Sequence, residues 1–146
     1  MGTIVVGVDG SAGSQEALRF AVAEARLRQA KLRVVAAWTL TYVAAPVGMM
    51  VPIDDALLPE LRENARAVLD KAVAEAIGAA TDIEIEKSVC EGSPVKVLVD
   101  AAQGADLLVV GTRGHGGFAG LLLGSVSQQI VHHAPCPVVI VPRAKA

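Results

Sequence analysis

The sequence has only two cysteines, Cys90 and Cys136, and they form no C-x-x-C pair. Two unpaired thiols exclude a disulfide framework and fit a reducing compartment, so the expected location is the cytoplasm. His133 and Cys136 have a spacing that suits a metal, but no further ligands accompany them, and Pro135 and Pro137 crowd the cysteine; no metal is expected there. Charge of one sign is also lacking. Thirteen Lys and Arg stand against 15 Asp and Glu, a net charge of −2, which supplies no basic footprint for nucleic acid. Long uninterrupted apolar runs are missing as well. The uncharged stretch 34–53 is broken by Pro46, Gly48 and Pro52, and the uncharged stretch 114–142 is full of Gly, Gln, Ser, His and Pro. Neither makes a membrane-spanning helix. The apolar run near the start, Ile4 to Val8, is too short for a signal peptide and follows no basic segment.

What is present is an aliphatic, one-domain chain. Its 146 residues are 53% hydrophobic and 19% charged, a balance that calls for strands buried on both faces. Thr3–Val8 (TIVVGV) reads as a buried strand. Ser11 or Ser14 caps a helix running to about Ala30, with Leu18, Val22 and Ala25 on one face. Lys31–Ala37 is a second strand. Trp38 to Asp54 has no clean period and is expected to be a long loop, with an apolar tip at Val47–Val51 that either folds back or serves as a lid or partner surface. Asp55 to about Ala80 is helical, on a face of Leu58, Leu61, Ala65, Val68, Leu69, Ala72 and Ala76. Thr81–Val89 alternates as an edge strand does. Ser93-Pro94 opens a helix with Val95, Leu98, Val99 and Ala102 on its face. Asp106–Val110 is a central strand, Ser125 to about His133 a short helix, and Pro137–Val141 a last strand. Strands alternating with helices predict an α/β fold: a single-domain, open, five-stranded parallel sheet with helices on both faces.

The most unusual stretch is GTRGHGGFAGLLLGS, residues 111–125, which holds six of the 14 glycines. Ligands of open α/β sheets bind beyond the carboxyl ends of the strands, where strand order reverses. Asp9 ends the first strand and Gly111 the fourth. The two meet only if these strands are neighbours, which selects the order 3-2-1-4-5. The glycines run into a helix opened by Ser125-Val126-Ser127-Gln128, a match to the capping box S-x-x-Q. No Asp or Glu occurs in the 40 residues after Asp106, and Arg113 is the one formal charge inside the stretch. A glycine-lined, acid-free helix start suits an anion. A flexible connection is the alternative for the glycines, and a turn former the alternative for Asp9. There is no G-x-x-x-x-G-K-[ST] sequence, and His115 has no Ser or Cys nucleophile in a recognisable elbow beside it.

Gly111, two residues, Gly114, nine residues, Gly124-Ser125 resembles the G-2x-G-9x-G-[ST] signature of the universal stress protein family. Val8-Asp9-Gly10-Ser11 is similar to that family's opening, and His133-Ala-Pro-Cys-Pro-Val-Val-Ile-Val to its close. The resemblance spans the whole chain and implies the ATP-binding branch. It implies that Gly111, Gly114, Gly124 and Ser125 hold phosphates, with Arg113 and the Val126 N–H beside them. Asp9 would face the ribose and phosphates, with Mg²⁺ as an intermediary, and the backbone at Ala37 would meet the adenine edge. It further implies a homodimer formed through Val138–Val141. The expected function is an ATP-binding stress-response or regulatory module. A slow ATPase and a ligand-free interaction module are the alternatives. No Walker lysine, base or paired metal carboxylates point to turnover, and Asp9 lacks the acidic partner and lysine of a phospho-acceptor switch.

Overall fold

The computed structural model describes residues 2–38, 42–44, 50–52, 58–78, 82–112 and 125–142. Five strands form one parallel sheet: β1 (Thr3–Gly7), β2 (Lys31–Trp38), β5 (Ile85–Glu91), β6 (Leu107–Gly111) and β7 (Val138–Val141). They lie in the order β5-β2-β1-β6-β7, which is the predicted 3-2-1-4-5 once the five strands are counted by themselves. Four helices connect them: α1 (Ala12–Arg28), α2 (Leu58–Ile77), α3 (Pro94–Ala101) and α4 (Ser125–His133). No described helix is long and apolar enough to cross a membrane.

Strand alternation sorts the core into two layers. Ile4, Val6, Leu32, Val34, Leu107 and Val109 face α1 and α2, where they meet Leu18, Val22, Leu69 and Val73. Val5, Val35, Leu108 and Val110 face α3 and α4, where Leu98 and Ile130 cover them. Ile4, Val5 and Val6 are all fully buried, so β1 has no solvent face and reads as a continuous apolar run. Truncating one such residue, as in Leu108→Ala, costs about 2–5 kcal/mol.

Local signals account for the helix ends. Ser11 is the N-cap of α1, with extended backbone, and accepts from the Ser14 N–H. Ser93 does the same for α3 toward the Lys96 N–H, with Pro94 in the first turn. Gln29 closes α1 in the left-handed region, φ 54°, with its N–H returned to the Ala25 and Arg26 carbonyls, a place where glycine is the usual choice.

Three expectations need correction. The stretch 38–54 is not all loop: β3 (Tyr42–Ala44) and β4 (Met50–Pro52) pair antiparallel as a separate two-stranded sheet. Each is three residues long, too short to show a period, and Pro52 sits at the end of its strand, where proline is tolerated. Of the apolar tip, Met50 and Val51 lie in β4, while residues 47–49 fall outside the described residues. β5 starts later and ends later than its alternation suggests, because β2 pairs with it from Leu32↔Ile85 to Trp38↔Glu91. Pairing carries a strand past the point where side-chain preference stops. On the helices, Val68 is exposed while Val73 is buried, and Val97 joins Leu98 in the core of α3.

Candidate functional site

The site is built where β1 and β6 end. Their register pairs Ile4 with Leu107 and Val6 with Val109. Continued by two residues, it sets Val8 beside Gly111 and puts Asp9 at the shared carboxyl edge. Asp9 is exposed and its position is fixed by the turn that follows. Its Oδ1 accepts from the Ser11 N–H at 2.9 Å, and its own N–H donates to Ser14 Oγ at 3.2 Å. Ser14 in turn donates its hydroxyl to the Ser11 carbonyl at 3.1 Å. Asp9, Ser11 and Ser14 thus form one hydrogen-bonded unit at the N-terminus of α1.

Gly111 closes the other side. A Cβ on it would lie 2.8 Å from the Gly13 carbonyl oxygen and 3.0 Å from the Gly13 carbonyl carbon. No real side chain tolerates that approach, so glycine is required at 111 by the first turn of α1 before any ligand is considered. Thr112 continues from it, and its N–H donates to the Val141 carbonyl at 3.1 Å. Ser127, from the first turn of α4, brings its hydroxyl to the Gly111 carbonyl at 2.6 Å and the Thr112 carbonyl at 3.1 Å. Ser125 is the first helical residue of α4, one position further in than a capping box would place it. Val126 beside it is half-buried against the α3–α4 layer.

Neither α1 nor α4 has an acidic residue in its first turn. Both helices start at the same edge of the sheet, so two positive dipole ends face one region, with the Asp9 carboxylate beside the first of them. Ala37 stands at the same edge on β2, half-buried and paired with Cys90 of β5. It is two strands from Gly111, about 10 Å across the sheet. Of the residues expected from sequence, Asp9, Ala37, Gly111, Ser125 and Val126 therefore collect along one edge. Arg113, Gly114 and Gly124 lie outside the described residues. Gly13 and Ser127 were not singled out as site residues by sequence, and Ser14 was named only as an alternative cap of α1. Only Ser127 carried a signal, as a second serine two positions beyond Gly-Ser, while the role of Gly13 depends on a contact with a residue nearly a hundred positions away.

Among the described residues no three His, Cys, Asp or Glu side chains gather to hold an ion. Burial, with a smaller contribution from the Asp106 carboxylate, pushes the Cys136 thiol up. A separate groove of about 370 Å³ runs along β5 beside α3. Arg33 in its wall is already engaged by Glu86 at 3.1 Å and by the Ala101 carbonyl at 2.9 Å.

Comparison with known proteins places these features. The sequence model of the Universal stress protein family matches residues 1–142. A universal stress protein of Thermus aquaticus is 39% identical over 142 residues, covering 95% of this chain and 97% of the relative. One of Mycolicibacterium smegmatis is 37% identical over 144 residues, covering 94% of this chain but 47% of the relative. The chain spans about half the length of that relative and of several other curated relatives that it matches. Among solved structures, a universal stress protein UspA from Lactobacillus plantarum shares 26% identity with a TM-score of 0.74, covering 96% of this chain and 97% of its own. A universal stress protein in complex with cAMP shares 32% identity with a TM-score of 0.61, covering 98% of both chains. One from Archaeoglobus fulgidus in complex with dAMP shares 26% identity with a TM-score of 0.58, covering 97% of this chain and 98% of its own.

Proposed function

The chain belongs to the universal stress protein family, and on that premise we propose that it is an adenine-nucleotide-binding regulatory module that takes ATP at the carboxyl edge of its sheet. The observation that carries this reading is the strand order. β2, β1 and β6 are consecutive neighbours, so Ala37, Asp9 and Gly111 follow one another across the edge. That is the sequence of base, ribose and phosphate along a nucleotide. The acid-free first turns of α1 and α4 suit the phosphate end, and Arg113, Gly114, Gly124, Ser125 and Val126 would complete its cradle. The structural relatives with cAMP and dAMP support an adenine nucleotide as the ligand class.

Magnesium fits only as part of the nucleotide. Asp9 is a single exposed carboxylate with one oxygen already accepting from the Ser11 N–H. It would add one ligand to an ion held chiefly by phosphate oxygens and water. The sequence has no G-x-x-x-x-G-K-[ST] motif, and Asp9 has no second carboxylate beside it in the chain to hold metal for an attack on phosphorus. We therefore read the module as a binder, acting in the cytoplasm, with hydrolysis slow if measured at all.

Calorimetric titration of nucleotide-stripped protein with ATP and Mg²⁺ tests the reading. The expected result is saturable binding of about one ATP per chain. Absence of binding, with the protein folded by circular dichroism, would leave the interaction-module reading in its place.

A further inference from the structure

Ser127 does something that its place in a helix does not require. A serine in a first helical turn normally hydrogen-bonds to a local backbone group or to water. Ser127 instead is 4% exposed and reaches two carbonyls that are 16 and 15 residues away in the chain, Gly111 at 2.6 Å and Thr112 at 3.1 Å. Its one proton serves both oxygens. These carbonyls mark where the chain leaves β6, and Ser127 marks where it has just entered α4. One buried hydroxyl therefore ties together the two ends of the glycine-rich stretch. The Thr112 N–H is anchored separately to the Val141 carbonyl at 3.1 Å, so the β6 end is fixed from two sides.

We propose that Ser127 is a positioning residue that sets the separation between Gly111 on one side of the phosphate cradle and the Ser125–Val126 amides on the other, and so governs affinity for the phosphates but not for the base. This rests on the nucleotide-binding reading above. A cradle made of backbone N–H groups works only if donors from both sides converge on the same anion. Without the hydroxyl, two carbonyls lose a buried donor, and the two ends of the stretch lose their direct link to each other. Ala37 lies on β2, two strands from Gly111, and has no contact with this tie, so the base end should not respond.

The test uses the full chain and four proteins: wild type, Ser127→Ala, Ser127→Thr and Ser127→Val. Thr keeps the hydroxyl, and Val matches Thr in shape without it. ATP with Mg²⁺ and adenosine are titrated into each. The expected result is that Ser127→Ala and Ser127→Val lose about tenfold in ATP affinity, hold adenosine within about twofold, and that Ser127→Thr stays near wild type for both. Equal ATP affinity in the Thr and Val variants would overturn the inference, as would parallel loss of ATP and adenosine, which marks a general structural role. Should Ser127→Ala prove unfolded, the Thr and Val pair still decides. If the wild type binds no ATP, the nucleotide reading fails and takes this inference with it. That outcome is distinct from wild-type binding that survives removal of the hydroxyl.

Discussion

At one edge of the sheet, β5 carries Glu86 and Lys87 and follows Glu84; at the other, β7 is Val138-Val139-Ile140-Val141. The β5 edge is laced with charge. Glu86 meets Lys31 at 2.6 Å and Arg33 at 3.1 Å, and Lys87 meets Asp70 at 3.0 Å. Among the described residues no ion pair involves any residue beyond Asp100, and no Asp or Glu exists beyond Asp106. Charged side chains on an edge strand discourage another strand from adding to it, and an apolar edge invites one. The same division separates the half that carries the proposed anion site from the rest. The β6–β7 half supplies Gly111 and α4, and no Asp or Glu follows Asp106 in it; the carboxylate at the edge of the site is Asp9, after β1. Charged, hydrated pairs that keep further strands off thus belong to the β5–β2 half, and close backbone packing with an open edge to the β6–β7 half.

The largest effect is expected from Gly111→Val compared with Gly114→Val. The two glycines share one motif, and Gly111 has a backbone carbonyl 2.8 Å from where its Cβ would stand. Gly111→Val should therefore lower stability by about 3 kcal/mol, read as a fall in the urea midpoint, and lose ATP binding as a consequence. Gly114→Val should lose ATP binding with the midpoint unchanged. A Gly111→Val protein of wild-type stability would mean that the first turn of α1 gives way easily, and the division of labour within the motif would be wrong.

Next in size is the oligomeric state. We propose that β7 pairs with β7 of a second copy. In the parallel ladder, Pro137 and Val141 turn their carbonyls to Leu108 of β6 and to Thr112 just after it, so the backbone of Val138 and Ile140 faces the open edge. Sedimentation of the wild type should give twice the chain's 15.0 kDa, and Val138→Lys should return it to one chain with its circular dichroism spectrum intact. A wild type that sediments as a single chain would leave the apolar edge without its explanation. A dimer that persists in Val138→Lys would move the interface elsewhere.

The contrast between the halves also explains what could be read from sequence. The order 3-2-1-4-5 followed from requiring that Asp9 and Gly111 share an edge, and Ser125–His133 was bounded by glycine on one side and by Ala-Pro on the other. These are local signals or single consequences of topology. β3 and β4 were missed because three residues are too few to show alternation. The end of β5 was misplaced because its last residues are held by β2 and not by their own preference. In the site, Asp9 and Ser125 are polar residues at element ends and declare themselves. Gly13 and Ser127 do not, because their roles exist only once α1 and α4 have docked against the end of β6.

The smallest effect concerns acid. The Lys31 ammonium, with Arg33 behind it, holds the Glu86 carboxyl below its ordinary value of 4.5. Lys87 and then Arg66 do the same for Asp70, and Arg26 for Asp82, against an ordinary value of 3.8. A carboxylate whose folded pKa is depressed contributes stability that is complete above its unfolded value and disappears as pH falls through the folded value. The charged half should therefore lose its pairs as pH falls below these ordinary values, and the β6–β7 half carries no carboxylate after Asp106. These groups are solvent-screened surface pairs, so each contributes little. Glu86→Gln should flatten the slope of urea midpoint against pH in that range without changing the plateau near neutrality by more than about 1 kcal/mol. Val138→Lys, on the opposite edge, should leave the slope as it is when both proteins are compared as single chains. An unchanged slope in Glu86→Gln would show that the ion pairs at the β5 edge serve only to keep that edge unpaired, with no measurable part in holding the fold.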